Sequence, residues 1–177
     1  MSTEDRVNAL KAAIRDVPDF PKKGIVFKDI TTLLKDGALF REAGDLLAGL
    51  CRERRADKVV AIESRGFILG SLLADRLGVG FVPVRKAGKL PARTVKASYA
   101  LEYGTDTLEM HEDALARGER VLIVDDVIAT GGTARAVGEL TRMLGATVSA
   151  YAFLVELSFL NGREKLEGYE VLSLIRY

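Results

Sequence analysis

The sequence predicts an α/β fold, a parallel β-sheet core flanked by helices. Three observations lead there. Short β-branched runs alternate with segments of helical periodicity, the pattern of strand–helix–strand units. The chemistry-bearing residues gather where those runs end, which is where open α/β sheets bind ligands. The chain has 177 residues, 48% hydrophobic and 29% charged, with a formal charge of +1, which is the length and composition of one generous domain. At this size a chain buries roughly two-thirds of its unfolded surface and needs neither disulfide nor structural metal to fold.

Val7, Leu10, Ile14 and Val17 follow helical spacing up to Pro18. Leu39 and Phe40, Ala43, Leu46 and Leu47, and Leu50 make a second amphipathic helix. The apolar run Lys58–Ile62 reads as a buried strand, Phe67–Leu77 as a helix stopped by Gly78, and Val79–Val84 as another strand. Between Lys86 and Arg120 the pattern changes: SYALEY and TLEMH read as two polar-sided strands of an exposed hairpin. Val121–Val124 is a third buried strand, and Thr133–Leu144 a helix closed by Gly145. Thr147–Val155 and Glu170–Ile175 complete the strands. With no repeat, low-complexity run or Pro/Ser-rich linker, a single domain over residues 1–177 is expected.

Several function classes lose support at once. One cysteine, Cys51, permits no intramolecular disulfide and no multi-cysteine zinc pattern, and its apolar helical surroundings place it in the core. The only histidine, His111, has no metal-ligand set around it and is read as structural or as lining a dimer edge. Neither completes a Cys–His or Ser–His–Asp arrangement. The start lacks a basic segment followed by an apolar run, and there is no stretch of about 18 apolar residues, so neither a secretory signal nor a membrane span is expected. A cytoplasmic location follows as the expectation. The near-zero charge gives nucleic-acid binding no electrostatic support.

The segment Val121–Ala134, VLIVDDVIATGGTA, carries the strongest signal. A strand runs into Asp125 and Asp126, then through Ala129-Thr130-Gly131-Gly132-Thr133 into a helix. A Gly-containing turn that opens a helix offers free N–H groups and a favourable dipole to an anion, and Thr130 and Thr133 add hydroxyl donors. Two adjacent carboxylates would weaken a bare phosphate site, so they are expected to face the 2- and 3-hydroxyls of a ribose. The segment is neither a Walker A loop nor a dinucleotide G-x-G-x-x-G. At two further strand ends stand Glu63-Ser64-Arg65-Gly66 and the cations Arg85, Lys86 and Lys89, which suit a polyanion. On residue types alone, the lesser alternatives are that Arg65 pairs with Glu63 on the surface and that the three cations form a solvated loop.

VLIVDDVIATGGTA resembles the phosphoribosyl-diphosphate motif of the type I phosphoribosyltransferases. GIVFKDI, ESRGF, VPVRKAGKLP, SYALEYG, LVEL and GREKL extend the resemblance over nearly the whole chain, and they are most similar to the adenine-using members. The resemblance implies a parallel-sheet domain with a small N-terminal hood over about residues 1–34 and a flexible flap over about 95–111. It implies transfer of a phosphoribosyl group from phosphoribosyl diphosphate to adenine, giving AMP and diphosphate, with Mg²⁺ held mainly by the substrate rather than by dedicated protein ligands. It assigns the 5-phosphate to Ala129–Thr133, the ribose to Asp125 and Asp126, and the diphosphate to Ser64, Arg65, Arg85, Lys86 and Lys89. Glu102 is implied beside the purine imidazole edge as a proton acceptor, with Tyr103 closing the flap and Arg65 acting in catalysis. Val26, Phe27, Lys28 and Leu157 are implied around adenine. Many members carry Arg at the position of Lys28, so a backbone role is the one carried over there. A homodimer is implied too. Two other readings stay open at this point: another base, such as a 6-oxopurine or orotate, and a regulator that binds phosphoribosyl diphosphate without turnover.

Overall fold

In a computed structural model, which describes residues 2–100 and 104–177, Val17 belongs to a strand and not to the helix its spacing predicts. The first helix, α1 (Thr3–Ala13), starts with a capping box in which Ser2 and Asp5 satisfy each other's backbone N–H groups. Ile14 then turns extended, and β1 (Arg15–Pro18) pairs antiparallel with β2 (Val26–Asp29), setting Val17 opposite Phe27. The strand prevails because the hairpin has partners across it: Arg15 pairs with Asp29 at 2.5 Å and Lys28 with Asp16 at 2.6 Å. A short helix, α2 (Thr31–Leu34), leads to α3 (Gly37–Cys51), where the second predicted helix lies. Asp36 accepts the Ala38 and Leu39 N–H groups at the start of α3.

The chain divides into two units, Met1–Leu46 and Leu47–Tyr177. The second holds a seven-stranded mixed sheet built from β3 (Lys58–Ile62), β4 (Gly80–Lys86), β5 (Thr94–Ala100), β6 (Thr105–His111), β7 (Arg120–Ile128), β8 (Thr147–Glu156) and β9 (Val171–Arg176). The spatial order is β5-β6-β4-β3-β7-β8-β9. The strands from β4 to β9 in that order are parallel, and the hairpin β5–β6 adds antiparallel to the β4 edge, as the break in pattern after Lys86 suggested. It is not the exposed hairpin expected, because Ala97, Leu108 and Met110 are buried in the core shared with α5. β7 runs four residues past the predicted Val121–Val124. It does so because β8 continues beside it and pairs Val127 with Val155 and Ile128 with Glu156.

Helices α4 (Arg65–Leu77) and α5 (Gly132–Met143) lie on opposite faces. Side chains alternate along a strand. Ala61 and Val59 of β3 meet Gly70 of α4, whereas Val60 and Ile62 share a core with Ala136, Val137 and Leu140 of α5. Both helices come close through a glycine: a Cβ on Gly70 would overlap the Ala61 methyl, and one on Gly138 would overlap the Tyr151 hydroxyl.

Two helical glycines should therefore respond oppositely to one substitution. Around Gly49 in α3 a new Cβ meets nothing within 4 Å. Gly49→Ala should raise the melting temperature through the ~0.5–1 kcal/mol gain in helix propensity. Gly70→Ala should lower it, because overpacking costs about 1–3 kcal/mol. Thermal melts of both variants check the contrast; equal shifts would contradict the packing described for α4.

Candidate functional site

The strand order reverses beside β3. Chain continuity runs from β3 through α4 to β4 on one side, while β7, β8 and β9 extend from the other. The carboxyl ends of β3 and β7 thus flank a topological switch point, the usual ligand crevice of an open α/β sheet. The loops Glu63–Ser64 and Ala129–Gly131 leave from these ends and enter α4 and α5. The Glu63–Ser64 peptide bond is cis.

The loop into α5 has the shape expected of an anion cradle. Gly131 takes a left-handed conformation (φ 76°) as N-cap, and no side chain among the described residues caps the helix. The first-turn N–H groups and the dipole are therefore available to an anion. Ala129, Thr130, Gly131 and Thr133 line a cavity of about 90 Å³ together with Asp125 and Phe153. Gly132 faces a different space, of about 330 Å³, beside Tyr99, Arg135 and Lys165. The Tyr99 side chain hydrogen-bonds that of Thr133, and burial pushes its phenol above the ordinary range.

The two aspartates differ in surroundings. Asp126 is buried, and its carboxylate pairs with Arg65, so β7 and the start of α4 are joined by an ion pair. Asp125 accepts the Asp126 N–H at 2.8 Å. Burial first, and then the neighbouring Asp126 carboxylate, hold the Asp125 carboxyl well above the usual carboxylate range. Gly66 stands so close that a Cβ there would approach the Asp125 carboxylate oxygen to 2.7 Å. The sequence argument treats both groups as ionised. In the structure Asp125 keeps its proton to higher pH than an ordinary carboxyl, which lessens its repulsion of a nearby phosphate.

The diphosphate candidates meet at the same ends. Arg65 pairs with Asp126 and not with Glu63. Glu63 accepts instead from the Arg85 Nε at 2.9 Å, the Lys86 N–H at 3.1 Å and the Lys89 Nζ at 2.7 Å. Its side chain is 8% exposed, against 37% for Arg85 and 48% for Lys89, so a sunken carboxylate spreads two outward-facing cations. Burial opposes ionisation of Glu63, but its hydrogen bonds to Lys89, Lys86 and Arg85 prevail and keep the pKa low. Lys86 Nζ reaches Asp106 of β6 at 2.9 Å, and Ser64 lies exposed at the N-cap of α4.

Of the adenine candidates, Val26, Phe27 and Lys28 lie on β2 in the first unit. Val26 is exposed, and Phe27 packs edge-on against Phe20 with ring centroids 5.3 Å apart. Leu157 follows β8, half-buried, and its N–H donates to the Ile128 carbonyl at 3.0 Å. Glu102 and Tyr103 lie outside the described residues. His111 accepts the Ala92 N–H at 3.4 Å. Cys51 is buried, and that burial raises its thiol to about 12. Among the described residues no three His, Cys, Asp or Glu side chains converge as a metal site, and no helix is long and apolar enough to cross a membrane. Sequence reasoning assigned no part to Asp106, Gly162 or Lys165. GREKL was visible as a string, but the contacts that bring it beside the α5 loop are long-range.

Comparison with known proteins identifies the lineage. The phosphoribosyl transferase domain family matches residues 29–170. An adenine phosphoribosyltransferase of Thermotoga neapolitana is 62% identical over 168 residues, 95% of this chain and 99% of that protein. A crystal structure of adenine phosphoribosyltransferase from Thermoanaerobacter pseudethanolicus superposes with a TM-score of 0.95 at 54% identity, covering 97% of this chain and 99% of that one. The Saccharomyces cerevisiae adenine phosphoribosyltransferase, solved with an imino-altritol bisphosphate and adenine, superposes at 0.93 with 44% identity over 97% of this chain and 99% of its own.

The state of Asp125 makes a stability prediction. A carboxyl raised by the fold binds more protons folded than unfolded, so its contribution is full below the unfolded pKa and is lost as pH rises through the folded one. Asp125→Asn removes that loss. It should melt about 2–4 °C above the wild type at pH 8, the shift that roughly 1 kcal/mol gives in a chain of this size. The gap should close toward pH 4. Melting curves across that range test it, and a gap that widens in acid would show the sign to be wrong.

Proposed function

The chain belongs to the phosphoribosyl transferase family, and from that premise we propose that it joins adenine to 5-phospho-α-D-ribose 1-diphosphate, giving AMP and diphosphate in purine salvage. The phosphoribosyl half of this reading is carried by one arrangement. Arg65 and Asp126 pair across the switch point, next to the uncapped start of α5 and the cations around Glu63. The adenine half is supported by the chain-long identity with adenine phosphoribosyltransferases.

The chemistry follows from charge. As the bond from the anomeric carbon to diphosphate lengthens, positive charge grows on the ribose ring and negative charge on the leaving group. Ala129–Thr133 holds the 5-phosphate, and Asp125 and Asp126 bond the ribose hydroxyls. Arg65, Arg85, Lys86 and Lys89, with Ser64, receive the diphosphate. Positioning and a prearranged field supply most of the acceleration. Mg²⁺, when bound, would be held mainly by the substrate's diphosphate and ribose hydroxyls and would supply charge neutralisation there, leaving Asp125 and Asp126 to the ribose hydroxyls. Val26, Phe27, Lys28 and Leu157 hold adenine. Glu102 takes the proton that adenine gives up as its nitrogen attacks, and Tyr103 closes the flap. These adenine-side roles rest on the family resemblance. The same resemblance supports a cytoplasmic homodimer, for which sedimentation is the direct test.

The reading predicts AMP and diphosphate from adenine in a coupled assay, with far lower rates for hypoxanthine, guanine and orotate. Turnover of hypoxanthine without adenine would remove the substrate assignment. Binding of phosphoribosyl diphosphate with no turnover of any purine would make the chain a regulator. Asp125→Ala with Asp126→Ala should lower kcat/KM by at least about 30-fold, from one charged-group hydrogen bond of roughly 1.5–3 kcal/mol at Asp126 and one neutral bond of roughly 0.5–1.5 kcal/mol at Asp125. Circular dichroism should show the fold retained, and wild-type kinetics in the double variant would refute the ribose assignment.

A further inference from the structure

The GREKL segment has no part in the reaction as described. It forms a 3-10 turn, Gly162–Leu166, between β8 and β9. Its first residue lies against the α5 loop, backbone to backbone. A Cβ on Gly131 would overlap the Gly162 carbonyl oxygen. A Cβ on Gly162 would in turn overlap the Ala129 carbonyl oxygen and stand 2.9 Å from the Ile128 Cγ1. Turn and loop are thus each other's wall, and at this separation neither position has room for a side chain.

The turn is fixed on both sides of that contact. Arg163 grips Glu156 at the end of β8 with two nitrogens, at 2.5 and 2.7 Å, and donates to the Val171 carbonyl at 2.7 Å. The Glu156 side chain is 8% exposed, so this fork is held in a largely desolvated place. Leu166 at the other end is buried in the core that α5 also packs against. From the same turn, Lys165 Nζ comes within 3.8 Å of where a Gly132 side chain would start, and it has no hydrogen bond or ion pair among the described residues.

We infer that the turn Gly162–Leu166 is a positioning element of the 5-phosphate site: Gly162 holds the Ala129–Thr133 loop in its anion-accepting shape, and Arg163, locked on Glu156, holds Gly162. This rests on the loop being the 5-phosphate site. Two consecutive glycines leave the loop many conformations, and convergent N–H groups need one of them. A wall of fixed backbone selects that one without touching the substrate.

Steady-state kinetics separates the inference from the reading beneath it. Gly162→Ala and Arg163→Gln should raise KM for phosphoribosyl diphosphate about tenfold, the scale of a small displacement of positioning groups, while KM for adenine stays within about twofold. Arg163→Lys, which keeps the charge but loses the fork, should recover part of the loss. Thr133→Ala is the reference for the loop itself. If it raises that KM while folded Gly162→Ala and Arg163→Gln do not, the positioning role is wrong and the 5-phosphate site stands. If Thr133→Ala also leaves KM unchanged, the 5-phosphate assignment falls and the inference with it. Hydrogen exchange on the unaltered protein decides the matter should the variants fail to fold. Ribose 5-phosphate should slow exchange in residues 129–133 and 162–166 together; slowing in the first stretch alone would overturn the inference, and slowing in neither would overturn both.

Discussion

A site for a molecule with a phosphate at one end and a diphosphate at the other must gather cations at strand ends, and gathered cations repel one another. Here each cation proposed for the diphosphate has an acid. Asp126 takes Arg65, Glu63 takes Arg85 and Lys89, and Asp106 takes Lys86. The carboxylates are more deeply set than the cations they hold: Glu63 is 8% exposed and Asp126 5%, while Arg65 is 47% exposed. The positive ends therefore look outward to an incoming anion from a pre-formed frame. An ion pair between surface side chains contributes little by itself. Their value here is geometric, since each holds a cation at a strand end and limits the reorganisation that binding would otherwise require.

The second constraint is closeness. Gly66 brings the β3 loop against Asp125, and Gly131 meets Gly162. Gly70 and Gly138 set α4 and α5 close to the sheet that carries both loops. Of these four contacts two shape the site itself and two shape its support. The cationic frame is only as well placed as the strand ends, and the strand ends are placed by the helices packed on them.

Much of this was legible in the sequence. Parallel strands read as continuous apolar runs, so Lys58–Ile62 and Val121–Val124 stood out, and the loss of that pattern after Lys86 marked the antiparallel hairpin. Two boundaries were misread because their cause lies in a distant partner. Val17 keeps helical spacing but pairs with Phe27, and Asp125 and Asp126 sit inside β7 because β8 extends alongside. In the candidate site, strand ends and a Gly-rich turn pointed to residues that the fold does bring to neighbouring strand ends, since those signals are local. Which acid holds which cation was not legible. Nothing local pointed Glu63 to Arg85 and Lys89, 22 and 26 residues along the chain, where the fold carries it. Gly162 was invisible for the same reason, because a contact between backbones leaves no mark on residue type beyond the glycine.

The Asp pair shows why local chemistry alone reached only part of the answer. Two adjacent carboxylates beside a phosphate cradle look self-defeating if both are ionised. The structure resolves the conflict by unequal surroundings: Asp126 has Arg65 as counter-ion, while burial and that neighbouring carboxylate favour the protonated form of Asp125. Favouring the protonated form of Asp125 lowers the negative charge that a phosphate must approach, while the ion-paired Asp126 carboxylate stays an acceptor for a ribose hydroxyl. It also costs stability as pH rises from the unfolded carboxyl's pKa through the folded one, since over that range the fold holds a proton the unfolded chain releases. A residue that the fold would be more stable without, placed at the switch point of the sheet, is most simply explained by binding.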